Sequence, residues 1–318
     1  VRNDGANTGE TGNFRRKLEE VWLKAVRLYT YNTPISKGKY RLYETALALC
    51  ADPPDSVRTQ VKDGRQFWVN LTTGMQETVF FLGEFEKEIT KLAASLVKKG
   101  DVCIDVGANF GWYTTLFYTL AGEGGAVHSF EPVPATFKEL KRNYELLAQS
   151  GNVFINNLAL GDHEGIVSIN LFDDLPTGHA SLSSQGRSDA SVFECRMVTL
   201  DSYLDEQAVG PVNFVKVDIE GAEMMFLNGA KRLFEQDIPP IFLMEMALQQ
   251  TGNFDYVPND LIEFIGSQRE YDFYAVDEIN GALKSITGFP EGDIGANVFC
   301  IPRGFYRDRL DDESWKTR

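Results

Sequence analysis

The chain has 318 residues, with 31 Lys+Arg against 46 Asp+Glu, a formal net charge of −15 and 43% hydrophobic side chains; that composition can bury a sizeable core and excludes disorder throughout. So acidic a surface repels a phosphate backbone, which argues against nucleic acid as a substrate. No apolar run approaches the ~20 residues that a bilayer span needs, and the polar start VRNDGANTGE lacks a signal-like core, so a cytoplasmic location without a membrane span is expected.

Residues 14–31 place Phe14, Leu18, Val21, Trp22, Ala25, Leu28 and Tyr29 on one helical stripe, with Arg15, Arg16, Lys17, Lys24 and Arg27 off it. Such basic flanks would suit anionic lipid, but Glu19 and Glu20 interrupt them. Packing on the main domain or on a second subunit is therefore favoured, which makes a homo-oligomer through this region the expected partner. The run VRTQVKDGRQFWVNL alternates apolar and polar residues around Asp63-Gly64, predicting a β-hairpin closed by a two-residue turn. Residues 1–83 thus read as an N-terminal helical and β-hairpin extension.

From residue 84 to 302 helices alternate with short apolar strands, which predicts an α/β domain with a mostly parallel sheet covered on both faces. Helix EFEKEITKLAASLVKKG is expected to run to Gly100, followed by strand DVCIDV, a glycine-rich turn, a helix and strand AVHSFE. Helix PATFKELKRNYELLAQSG opens on Pro134 and is expected to reach Gly151, before a single strand NVFINNLAL. Strands GIVSINLF and FECRMVTL flank a polar, Gly/Ser-rich loop whose length marks it as functional or disordered. Strands NFVKVDIE and PIFLMEM bracket one expected helix, AEMMFLNGAKRLFEQ; a helix near 258–269, YDFYAV and ANVFCIP complete the domain, and 303–318 form a polar tail. Cys50, Cys103, Cys195 and Cys300 share no metal or redox spacing, so buried reduced thiols are expected.

The turn reads Asp105-Val-Gly107-Ala-Asn109-Phe-Gly111, directly between a strand and a helix. Strand, glycine turn and helix predict an adenosine-cofactor site: Gly107 for the sharp bend and close approach to the ligand, Gly111 for a helix start against the sheet, and free N–H groups to attract an anion. Glu131 ends the next strand, where a carboxylate can accept both ribose hydroxyls. A dinucleotide fingerprint would want a second glycine where Asn109 stands, so that bare backbone could meet a pyrophosphate. S-adenosylmethionine needs less room, and Asp105 could take its amino group. It is favoured over NAD, and an NAD-dependent oxidoreductase is the alternative.

The runs IDVGANFGWYT, FEPVPATFKEL, NLALGD, VTLDSYL and VKVDIEGAEMMFLNGA, in that order, resemble the FkbM-type S-adenosylmethionine-dependent methyltransferases over about residues 84–302. The resemblance implies a Rossmann-like, seven-stranded class I methyltransferase fold and O-methylation of a sugar or other small hydroxylated molecule, with S-adenosylhomocysteine as product. It carries over Asp105, Gly107, Asn109, Gly111 and Glu131 as cofactor contacts, and leaves Asn157, Ala159 and Asp162 as candidates for the adenine edge.

In an open parallel sheet ligands bind beyond the carboxyl ends of the strands, a rim that here collects Asp105, Glu131, Asp218, Glu220 and Glu245. Asp218 or Glu220 could remove the acceptor proton, or these groups with Glu245 could hold a divalent cation such as Mg that acidifies the hydroxyl. Lys216 shares a strand face with Asp218, either to neutralise it or to act on substrate. His179, in the polar loop, is the histidine able to fold over an acceptor; His128 and His163 read as structural, and Glu223 as a charge at a helix start. A cofactor-binding scaffold without turnover is the reading from a different class.

Overall fold

The computed structural model describes residues 8–34, 37–147, 151–171, 180–183, 191–289, 294–310 and 315. The chain divides into two units, residues 1–85 and 86–318. In the first, helices α1 (Thr8–Asn32) and α2 (Lys39–Ala48) precede the hairpin β1 (Val57–Gln60) and β2 (Gln66–Val69), then α3 (Gln76–Leu82). Helix α1 buries Leu23, Val26 and Thr30, three and four residues apart on one face. Thr30 Oγ1 donates to the Phe81 carbonyl at 2.6 Å, and Tyr43 of α2 stacks on Phe81 with ring centroids 5.0 Å apart. The apolar stripe expected to pack lies beside this face, not on it: Leu18, Val21, Trp22, Leu28 and Tyr29 are 43–67% exposed. The hairpin pairs Gln60 with Gln66, so five residues, not two, connect its strands. Val61 N–H closes the connection on the Arg65 carbonyl at 3.0 Å, and Gly64 takes a left-handed φ of 92°.

In the second unit the elements run α4 (Lys87–Leu96), β3 (Val102–Val106), α5 (Trp112–Ala121), β4 (Ala126–Phe130), α6 (Pro134–Tyr144), β5 (Val153–Asn156), β6 (Ala159–Leu160), β7 (Gly165–Leu171), β8 (Ala180–Ser181) and β9 (Ser191–Val198). Then follow α7 (Leu200–Glu206), β10 (Phe214–Val217), α8 (Glu223–Asn228), α9 (Arg232–Glu235), β11 (Ile241–Ala247), α10 (Leu248–Thr251), α11 (Pro258–Gln268), β12 (Tyr271–Val276), β13 (Leu283–Ile286), β14 (Gly295–Pro302) and α12 (Arg307–Leu310). The main sheet has the order β13-β12-β14-β11-β10-β3-β4-β5. Strands β5, β4, β3, β10 and β11 are parallel, β14 is antiparallel to both β11 and β12, and β13 adds an eighth, antiparallel strand at the edge. This is a doubly wound α/β sheet, as expected, with one edge strand beyond the seven foreseen.

Period-two alternation divides each strand between two helical layers. Ile104, Val106, Val215, Val217, Phe242 and Met244 pack with Phe226 and Leu227 of α8 and Leu261 and Ile265 of α11. On the opposite face Phe117 of α5 meets Phe214 at 5.2 Å. The parallel strands run outward in chain order through β4 and β5 on one side of β3 and through β10 and β11 on the other, so β3 and β10 bound the switch point where ligands bind in such sheets.

Several expected elements are shorter. Helix α4 ends at Leu96 and α6 at Tyr144. The expected strand NVFINNLAL breaks after Asn156, and Ala159–Leu160 joins a separate sheet of order β6-β9-β7-β8. The single helix expected after β10 breaks at Gly229, where a Cβ would lie 1.9 Å from the Gly161 carbonyl oxygen; only a residue without a side chain lets these backbones touch. Beyond residue 302, α12 carries Arg309, whose guanidinium binds the Asp101 carboxylate at 2.5 and 2.9 Å and the Leu96 carbonyl at 2.8 Å. Trp315 lies edge-on to Phe299 at 5.1 Å. All four cysteines are buried and unpaired, and among the described residues no helix is long and apolar enough to cross a membrane.

Candidate active site

The ends of β3 and β4 meet in the glycine turn, and its backbone is fully engaged. Gly107 and Ala108 both donate to the Phe130 carbonyl, at 3.0 and 2.9 Å, and Gly111 donates to Ala108 O at 2.9 Å. Asn109 N–H reaches Glu131 Oε2 at 2.9 Å, and Phe110 N–H reaches Asn109 Oδ1 at 2.8 Å. The N–H groups of residues 107–111 are therefore all engaged within the protein, so any N–H offered to an anion at this turn comes from the first turn of α5. Gly107, at φ 77°, is required by the neighbouring strand end more than by a ligand: a Cβ there would lie 1.9 Å from the Asp218 carbonyl oxygen. A Cβ at Gly111, at φ 94°, would meet Leu140 Cδ1 of α6 at 2.8 Å. Asn109 itself is left-handed, at φ 50°, a region its short polar side chain tolerates.

Glu131 braces the turn, with Oε1 accepting Val133 N–H at 2.9 Å while Oε2 holds Asn109. Burial pushes its carboxyl up to about 7. Asn157 Nδ2 donates to the carbonyls of Glu131 and Pro132 at 2.8 and 2.9 Å, which sets this residue at the end of β4. Ala159 packs in the small sheet with Ile169, Cys195 and Met197, and Asp162 turns to the surface against His163 Nδ1 at 2.7 Å. Asn157 is thus brought to Glu131, whereas the Ala159 side chain and the Asp162 carboxylate are engaged elsewhere.

Asp105, 1% exposed, accepts from Thr114 Oγ1 at 2.6 Å through Oδ2. Its Oδ1 is buried with no hydrogen-bond partner. Burial raises its pKa, against the pull of Lys216 on the adjoining strand. Lys216, opposite Asp105 in register, reaches Asp218 Oδ2 at 2.7 Å and lies 5.0 Å from the centre of the Tyr113 ring. Burial opposes its charge, but Asp218, Asp105 and Glu86 outweigh that and hold the ammonium firmly protonated.

Glu86, just before α4, was not foreseen as a site residue, because the sequence places it inside a helix. It sits in the left-handed region at φ 43°, and its carboxylate accepts from Tyr113 OH at 2.7 Å. Burial lifts it to about 7. Nothing in the residue pattern marks this position, since strain at a non-glycine residue is set by tertiary packing.

Asp218, Glu220 and Glu245 converge, with one carboxylate oxygen from each lying within 4.8 Å of the others. The Asp218 carboxylate, and then burial, hold Glu245 far above the usual range, which favours its protonated form. Gln250, also unforeseen, donates to Glu220 at 2.6 Å and Glu245 at 3.3 Å. Glu223 has the expected place at the start of α8 and a bracing role. Its Oε1 accepts N–H groups of Ile219 and Gly221, each at 3.2 Å, and Tyr256 OH reaches Oε2 at 3.0 Å. His128 is buried against Tyr203 OH at 2.9 Å and stacked on Phe154 at 4.6 Å. His179 lies outside the described residues.

Comparison with known proteins gives this geometry its family. The chain is 26% identical over 167 residues to the 31-O-demethyl-FK506 methyltransferase FkbM of Streptomyces tacrolimicus, covering 42% of this chain and 61% of that one. It is 28% identical over 144 residues to the hexuronic acid methyltransferase AglP of Haloferax volcanii, covering 45% of this chain and 56% of that one. The matches thus span 56 to 61% of the length of these relatives. Among solved structures, the methyltransferase FkbM from Methylobacillus flagellatus KT is similar with a TM-score of 0.40 and 18% identity, covering 64% of this chain and 43% of that one. The Methyltransferase FkbM domain matches residues 105–274, from the end of β3 through most of β12 and across more than half of the 318 residues, so the chain belongs to that family.

Proposed function

We propose that this protein is an S-adenosylmethionine-dependent O-methyltransferase acting on a hydroxyl of a small molecule such as a sugar or natural product. The observation that carries the reading is Asp105 Oδ1, a buried acceptor without a donor at the carboxyl end of β3. A primary ammonium is the donor it suits, and the cofactor's methionine end supplies one. Glu131, with both oxygens already fixed by backbone N–H groups, presents its remaining lone pairs to ribose hydroxyls. When bound, the cofactor supplies an electrophilic methyl group on a sulfonium.

The chain's own residues position the acceptor and take its proton. As the new oxygen–carbon bond forms and the carbon–sulfur bond breaks, the hydroxyl proton passes to a carboxylate of the Asp218, Glu220 and Glu245 group. Lys216 holds Asp218 in place and offsets its charge. Convergence of the three carboxylates also favours a second reading, in which they would hold a divalent cation such as Mg, which would lower the pKa of the acceptor hydroxyl.

Calorimetric titration with S-adenosylhomocysteine tests the reading. Asp105→Asn should weaken binding about ten-fold or more, the worth of one charge-assisted hydrogen bond. Equal affinity in the two proteins, or no binding to the native one, refutes it. Methyl-labelled cofactor with a panel of hydroxylated metabolites, with and without a chelator, then identifies the acceptor and separates the two proton-removal schemes.

A further inference from the structure

We propose that the N-terminal unit docks on the surface of an anionic phospholipid bilayer through α1. At about 100° per residue, that helix carries three arcs side by side. One buries Leu23, Val26 and Thr30 in its own unit. The next presents Arg16, Lys24 and Arg27, with Glu20 among them. The third exposes Leu18, Val21, Trp22, Leu28 and Tyr29, at 54, 63, 43, 67 and 54%.

Beside the basic arc lies a cavity of about 470 Å³ lined by Lys24, Arg27, Arg58, Tyr31 and Phe80 among others, and by no carboxylate. An adjoining cavity of about 230 Å³ shares Lys24 and Arg58 and adds Arg16 with a single acid, Glu20. Arg27 is held rigidly, donating to Phe80 O at 2.8 Å, Thr59 Oγ1 at 2.8 Å and Gln60 O at 2.9 Å, with its guanidinium carbon 4.8 Å from the Tyr31 ring centre. Arg58 donates only to the Gln66 amide oxygen. None of these four cations has a carboxylate partner among the described residues, in a chain of net charge −15.

A cluster of unopposed cations on so acidic a protein is complementary to phosphate. The contiguous apolar arc decides which phosphate. A soluble anion would leave Val21, Trp22 and Leu28 in water, whereas a bilayer takes phosphates on the basic flank and the apolar arc at the acyl boundary, where Trp and Tyr rings are at home. A second copy of this chain would bring its own basic arc to the contact instead of the opposite charge. Of the two acids that interrupt the basic residues in the sequence, Glu19 is engaged by Arg15 at 2.9 Å, and Glu20 is the one carboxylate left exposed between Arg16 and Lys24.

Flotation of the full chain with vesicles tests the proposal. Vesicles containing roughly one third phosphatidylglycerol should retain at least about ten times more protein than pure phosphatidylcholine, and added salt should release it. Val21→Glu with Leu28→Glu, and separately Lys24→Glu with Arg58→Glu, should each abolish retention. Both pairs should leave the thermal melt unchanged, since all four side chains face solvent. Equal retention on neutral vesicles, no retention on either, or retention that survives both pairs overturns the proposal. So does displacement by millimolar inorganic phosphate, which points to a soluble ligand, or a dimer in light scattering that the α1 variants dissociate without any vesicle binding.

Discussion

Replacing Gly107 by alanine isolates the contact on which the active-site geometry rests. The added Cβ would lie 1.9 Å from the Asp218 carbonyl oxygen, and φ is 77°. Ordinary contact begins at 3.4 Å, so the two strand ends must part by about 3.4 − 1.9 = 1.5 Å. A left-handed alanine costs roughly 1–2 kcal/mol, and forcing packed groups apart roughly 1–3 more, giving a loss of about 2–5 kcal/mol. Gly100 supplies the control, since it has φ 89° and nothing within 4 Å of its Cβ position. Gly100→Ala should lose only the conformational part, about 1–2 kcal/mol. Urea denaturation of both variants, with calorimetric titration of S-adenosylhomocysteine, reads the difference. Equal destabilisation would show that the Asp218 contact carries no weight. Native affinity in a destabilised Gly107→Ala would break the link between this bend and the Asp105 site.

Three further outcomes follow from other contacts. Burial lowers the His128 pKa from 6.5 to about 4, so the unfolded chain takes up the proton first. Its contribution is fully present above about pH 6.5 and is lost as pH falls toward 4, by roughly 3 kcal/mol; stability of His128→Gln across that window should lack this component, and an identical acid loss in both proteins contradicts it. Arg309→Met leaves the Asp101 carboxylate buried with only the Lys98 N–H and should cost about 3–5 kcal/mol in urea denaturation, of which Asp101→Asn in the same chain recovers a part; no recovery means that the pair is not coupled. If the three-carboxylate group holds a cation, Glu245→Gln should weaken Mg binding in calorimetry by about ten-fold or more while leaving S-adenosylhomocysteine affinity unchanged.

The sheet was legible because buried parallel strands are near-continuous apolar runs punctuated by glycine, as in VCIDVG and FVKVDIEG. Element ends were less so, since Gly229 and the break after Asn156 answer to neighbours distant in sequence. Asp105, Glu131 and Asp218 could be placed because strand ends share one rim. The use of the turn's N–H groups could not, because whether a backbone donor is free depends on the Phe130 carbonyl and the Glu131 carboxylate folding back on it. Glu86 falls in a segment that reads as helix and Gln250 in one with no periodic signal, and only packing brings them to the carboxylates. The inward stripe of α1 was misplaced because two apolar faces compete in one helix, and periodicity alone does not say which of them the unit's own core takes.

Strand β14 lies between β11 and β12, although it follows both in the chain. Until residues 295–302 emerge, β12 can hydrogen-bond only to β13, and β11 presents an open edge of unpaired amides. Late insertion of a central strand leaves these edges open while the polypeptide grows, and such edges invite pairing with other chains. Pulse-labelled hydrogen exchange during refolding should accordingly find β3, β4 and β10 protected before β11 and β12; simultaneous protection would mean that the sheet closes in one concerted event.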